Sequence, residues 1–90
     1  MALVDNSAKS RFEYVVEGYT AFIAYRRTPG VIALTHAEVP TEIEGRGVGS
    51  QMARAVLDAI RDTGEKVIPQ CSFVEAFFRR NPEYQVLLSK

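Results

Sequence analysis

The stretch Glu44-Gly45-Arg46-Gly47-Val48-Gly49-Ser50 sets three glycines at alternate positions directly ahead of a helical pattern. Beyond it Met52, Ala53, Val56, Leu57 and Ile60 fall on one helical face, while Arg54, Asp58, Arg61 and Asp62 fall largely on the other. Gly64 follows the last turn as a C-terminal cap. Alternate glycines let consecutive backbone N–H groups crowd toward one point, and a helix N-terminus adds about half a positive charge there. The pattern predicts a cradle for a pyrophosphate, with Arg46 placed to add a side-chain contact and Ser50 a hydroxyl. A flexible glycine-rich turn is the alternative, and the loop's place between strand and helix favours the cradle.

Upstream of the loop the chain reads as strands. Phe12, Tyr14 and Val16 alternate with Glu13, Val15 and Glu17, the period of a half-buried strand. Gly18 offers a turn into the β-branched and aromatic run from Tyr19 to Arg26. Thr28-Pro29-Gly30 offers a second turn into Val31–Val39. Short connections make these three an antiparallel meander, and Pro40, with no N–H to donate, ends it.

After the helix, Lys66–Gln70 is a short apolar strand that Pro69 can bend. Strand, crossover helix and strand imply parallel pairing with a right-handed crossover. A second helix follows, with Ser72 and Glu75 at capping-box spacing, apolar content from Phe73, Val74, Phe77 and Phe78, and a stop at Asn81-Pro82. The tail from Glu83 to Lys90 has material for one more helical turn carrying Tyr84, Leu87 and Leu88. The expected class is α/β (α+β): a three-stranded antiparallel meander, a βαβ crossover and a C-terminal helix.

Ninety residues are expected to make one domain over 1–90. A chain of this length buries roughly 60–65% of the surface its unfolded form exposes. The 47% apolar content is enough for a core without metal or disulfide staples. Eleven basic and eleven acidic side chains cancel, so the basic excess that nucleic-acid binding needs is missing. Arg26-Arg27 and Arg79-Arg80 are short pairs that suit a solvated surface or contact with an anionic ligand. Cys71 is the single cysteine and cannot form an intrachain disulfide, which fits a reducing cytosol. No signal-peptide pattern opens the chain and no stretch approaches a membrane span. A cytoplasmic protein free of membrane and nucleic acid is expected, either monomeric or a weak homodimer through its strand edges.

The phosphate class can be narrowed. A nucleotide-hydrolysing loop needs Gly-Lys-Ser/Thr, and Gly49-Ser50 lacks the lysine. A dinucleotide fold sets its glycines after the first strand of a parallel sheet, and here they follow an antiparallel meander. Coenzyme A remains the best fit.

His36-Ala37-Glu38-Val39-Pro40, the loop Gly45–Gly49 and the segment Lys66-Val67-Ile68-Pro69-Gln70-Cys71-Ser72-Phe73-Val74 together resemble the GNAT superfamily of acetyl-CoA-dependent N-acetyltransferases. The likeness covers roughly residues 12–86 and is nearer still to the short stand-alone GNAT-like acetyl-CoA-binding proteins. It implies that the third and fourth predicted strands splay apart around pantetheine. It also implies that Val39 pairs with pantetheine and polarises the thioester carbonyl, and that Gly45, Arg46, Gly47, Val48, Gly49 and Ser50 hold the pyrophosphate. An amine, on a small molecule or a protein, would attack the acetyl carbonyl directly.

Two departures qualify the likeness. Glu44 stands where the family usually has Gln or Arg, and its carboxylate is expected to point away from a pyrophosphate. Phe78 falls where many members carry a proton-donating tyrosine. The candidates for proton transfer are then Cys71, His36, Glu38 and Tyr84. Each also has a structural reading: a buried small hydrophobe, a hydrogen-bonded histidine, a solvated carboxylate and a packed ring. The rival function is a non-catalytic acetyl-CoA-binding sensor or interaction module; a plain interaction domain is the third.

Overall fold

Burial follows the predicted alternation: Phe12, Tyr14 and Val16 are covered, while Arg11, Glu13 and Val15 are not. The computed structural model, which describes residues 2–89, places these side chains in a five-stranded sheet. The strands are β1 (Ala2–Asn6), β2 (Arg11–Val16), β3 (Tyr19–Thr28), β4 (Val31–Glu38) and β5 (Lys66–Pro69), and their spatial order is their chain order. The first four pair antiparallel; β4 and β5 pair parallel. Helix α1 (Val48–Thr63) makes the crossover between β4 and β5, and α2 (Ser72–Arg80) follows β5.

The meander therefore has four strands, not the expected three. The additional strand, β1, is short and carries Asp5 and Asn6 among its five residues, so its own sequence gives little period-two signal. Its partner across the sheet supplies the order. The tight turn into β3 uses left-handed conformations at Glu17 (φ 52°) and Gly18 (φ 81°), the pair of positive angles a two-residue hairpin requires.

Helix α2 corrects the capping expectation. Cys71, extended at φ −104° and ψ 131°, occupies the N-cap position, and no side chain caps the helix. Its carbonyl accepts the N–H of Glu75 at 2.9 Å. Ser72 is already the first helical residue, one place too far into the turn to serve as the cap that Glu75 would answer. The tail forms a 3-10 turn over Pro82–Leu87, and Leu88 then bridges parallel to Val67 on the outer edge of β5. Lys90 lies outside the described residues.

The core lies on one face of the sheet. Ile23, Ile32, Leu34 and Val67 meet Met52, Val56 and Ile60 of α1 and Val74 and Phe77 of α2, all essentially inaccessible. Register puts Val4, Val15, Phe22, His36 and Ile68 on the other face, and none of them is buried. At one end, Arg27 bonds Asp5 at 3.0 Å and Glu65 at 2.9 Å and stacks on Tyr25 at 4.7 Å. This clamps β1 and β3 to the α1–β5 turn. No helix among the described residues is long and apolar enough to cross a membrane.

Two outcomes test this packing. Phe77→Ala empties a site that is 1% exposed, and urea unfolding is expected to record a loss of about 3–5 kcal/mol. The phenol of Tyr25 is pushed up to about 12 by burial and by its bond to Asp5, above the ordinary value near 10. Its contribution is present below pH ~10 and is lost as pH rises through the folded value. Stability is expected to fall across that interval, less steeply in Tyr25→Phe.

Candidate functional site

A single extra residue in β4 creates the site. Leu34 pairs with Tyr25 and His36 with Ala24, so Thr35 is left over as a bulge. Before the bulge, even-numbered residues of β4 face β5: the carbonyls of Gly30 and Leu34 accept the N–H groups of Lys66 (2.9 Å) and Gln70 (3.0 Å). Tyr25 donates toward the β2 side, to Ser10 at 2.9 Å, so even-numbered residues of β3 face β4. These pair with His36 and Glu38. Alternation then turns the N–H and C=O groups of Ala37 and Val39 away from β3, toward the side where β5 would continue.

β5 does not continue there. Its pairing with β4 ends at Leu34 and Pro69, because the chain leaves the sheet at Cys71 and enters α2. The two strands splay, and the gap between them exposes the inner edge of Ala37 and Val39.

The glycine loop closes the far side of this gap. Pro40 leaves the strand, and a 3-10 turn over Thr41–Ile43 buries Ile43 completely, which pins the loop to the core. Gly45 (φ 81°) and Gly47 (φ 74°) are both left-handed. Gly47 caps α1, its carbonyl accepting the N–H of Gln51 at 3.0 Å. The N–H groups of Val48, Gly49 and Ser50 have no partner within the helix, and the helix dipole adds to them. Gly49 is needed for contact: a Cβ there would lie 2.9 Å from the Phe73 ring and 3.8 Å from a Val39 methyl.

The result is a cleft of ≈ 410 Å³ lined by Ala37, Val39, Ile43, Glu44, Phe73 and the loop. Of the predicted cofactor residues, Val39, Gly45, Gly47, Val48, Gly49 and Ser50 line it. Arg46 does not; its guanidinium pairs with Glu17 of the β2–β3 turn at 2.7 Å. Glu44, expected to turn away, forms part of the wall.

The proton-transfer candidates separate. His36 and Glu38 contact each other at 2.9 Å, largely exposed, on the sheet face opposite the core. Cys71 is partly buried at the head of α2, where β5 ends. Tyr84 lies against α1 outside the cleft lining: its hydroxyl donates to Asp58 at 2.7 Å and accepts from Arg54 at 3.3 Å. Burial, then the Asp58 bond, hold its phenol above the ordinary range. Phe78 is buried in the core.

Sequence reasoning missed Ala37, Ile43 and Phe73 as lining residues. Ala37 shares a face with Val39 and was open to inference. Phe73 reads only as helix core until the fold shows it against Gly49.

A sequence profile of the GCN5-related N-acetyl-transferases matches residues 11–87. The chain belongs to this family. Among solved structures, it is similar to a GCN5-like protein from Staphylococcus aureus studied in solution by NMR, with a TM-score of 0.74 and 26% identity over 98% of this chain and 87% of that one. Protein NATD1 of Bos taurus is 32% identical over 57 residues, 63% of this chain and 50% of that protein. The zebrafish counterpart, Danio rerio NATD1, is 30% identical over 56 residues, 62% and 51% of the two chains. The chain thus matches about half the length of these curated relatives.

Gly47→Ala tests the loop backbone with little steric interference, since the nearest atom to a new Cβ is Gln51 Nε2 at 3.9 Å. Urea unfolding is expected to show a loss of about 1–2 kcal/mol from the left-handed conformation alone.

Proposed function

We propose that this family member binds acetyl-CoA in the cleft and transfers its acetyl group to an amine. The observation that carries this reading is the phase change at Thr35, which aims the free backbone edge of Ala37 and Val39 at a gap closed by a glycine loop and helix N-terminus. The residues fit the cofactor. Its pantetheine amides can pair with Ala37 and Val39 as a missing strand would. Its pyrophosphate can take the N–H groups of Gly47, Val48, Gly49 and Ser50. The close contact of Gly49 with Phe73 and Val39 holds the strand, the loop and α2 together around that path.

Acetyl-CoA supplies an activated thioester. In this reading the N–H of Val39 would donate to the carbonyl oxygen as negative charge develops there, a contribution of about 2.7–4 kcal/mol in comparable oxyanion holes. His36, with Glu38 bonded to its ring, is positioned on the open face to take the amine's proton directly or through one water. Arg46 contributes by anchoring the loop to Glu17. Glu44 opposes the anion, so Glu44→Gln is expected to bind acetyl-CoA several-fold more tightly in a calorimetric titration.

One observation favours the sensor reading: Phe78 has no hydroxyl and that of Tyr84 is committed to Asp58, so neither gives the cleft a phenol. The experiment is a thermal melt with acetyl-CoA, followed by mass spectrometry of an amine panel. Ligand at 100 times its Kd adds about 2.7 kcal/mol, which is roughly 10 °C or more at this size. A shift with acetylated product is expected. A shift without product for any amine assigns the sensor role, and no shift rejects both.

A further inference from the structure

The gap between β4 and β5 opens on two faces, and α1, α2 and the glycine loop occupy one. On the other, the β4 lip carries His36 and Glu38. The opposite lip is formed by Arg26, which extends from β3 past β4 to the side-chain oxygen of Gln70 at 3.4 Å. Gln70 also makes the last backbone bond between the lips, to Leu34 at 3.0 Å. The Arg26 guanidinium therefore lies beside the closed end of the gap.

Arg26 differs in its partner. Arg11, Arg27, Arg46, Arg54, Arg61 and Arg79 each contact a carboxylate among the described residues; Arg26 and Arg80 do not, and Arg80 stands at the end of α2, away from the sheet. Arg26 is exposed and contacts a neutral amide at the limit of hydrogen-bond distance. A guanidinium offers a planar fork of donors that matches a carboxylate with two parallel bonds. The Ala24 position pairs with His36, and Arg26 is two residues along the same strand. Across the bulge Arg26 pairs with Ala33, so Arg26 and His36 share the open face of the sheet on either side of the register shift.

We propose that the acceptor is a free amino acid, with its carboxylate on Arg26 and its amine directed into the gap from the open face. This rests on the acetyl-transfer reading above. The lone pair of the neutral amine forms the new C–N bond to the thioester carbonyl carbon as the C–S bond breaks. One amine proton passes to the His36 imidazole and from there to solvent, and the departing thiolate takes a proton from water. The products are an N-acetyl amino acid and the free thiol.

The test compares alanine with alaninamide, and glutamate with its α-amide, as acceptors for the full chain loaded with acetyl-CoA. The wild type is expected to favour each acid in kcat/KM. Arg26→Gln should lower the acid-over-amide ratio about tenfold or more, the loss of a charge-assisted pair, while Arg26→Lys falls between. A readout independent of turnover is the Arg26 Nε–H resonance, which should move on adding alanine in the presence of CoA and stay in place with alaninamide. Equal use of acid and amide, or an unchanged ratio in a folded Arg26→Gln, overturns the proposal while leaving acetyl transfer standing. Absence of an acetyl-CoA melt shift in the wild type overturns both.

Discussion

The organisation of this molecule depends on the parity of one strand. A β-strand offers its backbone polar groups alternately to its two neighbours, and the extra residue at Thr35 reverses that alternation halfway along β4. Below the bulge, β4 is satisfied by β3 on one side and β5 on the other. Above it, His36 and Glu38 belong to β3, while Ala37 and Val39 face a gap. The same reversal keeps Ala37 and Val39 on the covered face and leaves His36 and Glu38 on the open one. Cleft-side and open-face groups thus come from adjacent residues of one strand.

Packing then turns an open edge into a site. Ile43, fully buried, fixes where the glycine loop leaves the sheet, and Gly49 lets α1 approach Phe73 to a distance no other residue allows. The loop is held from outside as well, by Arg46 on Glu17. Tyr84 and Arg54 tie the tail to the exposed side of α1, and Leu88 and Ser89 return to Val67. The segment after α2 thus braces the crossover helix that presents the loop.

Much of this was legible in local patterns. The alternation around Phe12 to Val16, the face of Met52 to Ile60 and the cap at Gly64 marked the elements around the loop, and the glycines marked a segment that lines the cleft. What escaped had non-local causes. β1 takes its order from β2, since a five-residue strand with two polar residues carries weak periodicity of its own. The bulge is invisible in Thr35, an ordinary strand residue, because it exists only as a mismatch of register with β3. The Glu17 partner of Arg46 lies in another turn, so residue type suggested a phosphate contact that the fold uses as an anchor. Tyr84 is similar: its phenol is chemically suitable, and only the packing against Asp58 reveals that it is committed elsewhere.

The most direct measurement is the backbone amide spectrum of the isotopically labelled protein during titration with acetyl-CoA. The largest changes are expected at Ala37, Val39 and the loop from Gly45 to Ser50, with the amides of His36 and Glu38, already bonded into the sheet, moving much less. Changes of equal size at all four strand residues, or changes confined to surfaces away from the gap, would contradict the parity argument on which the account stands.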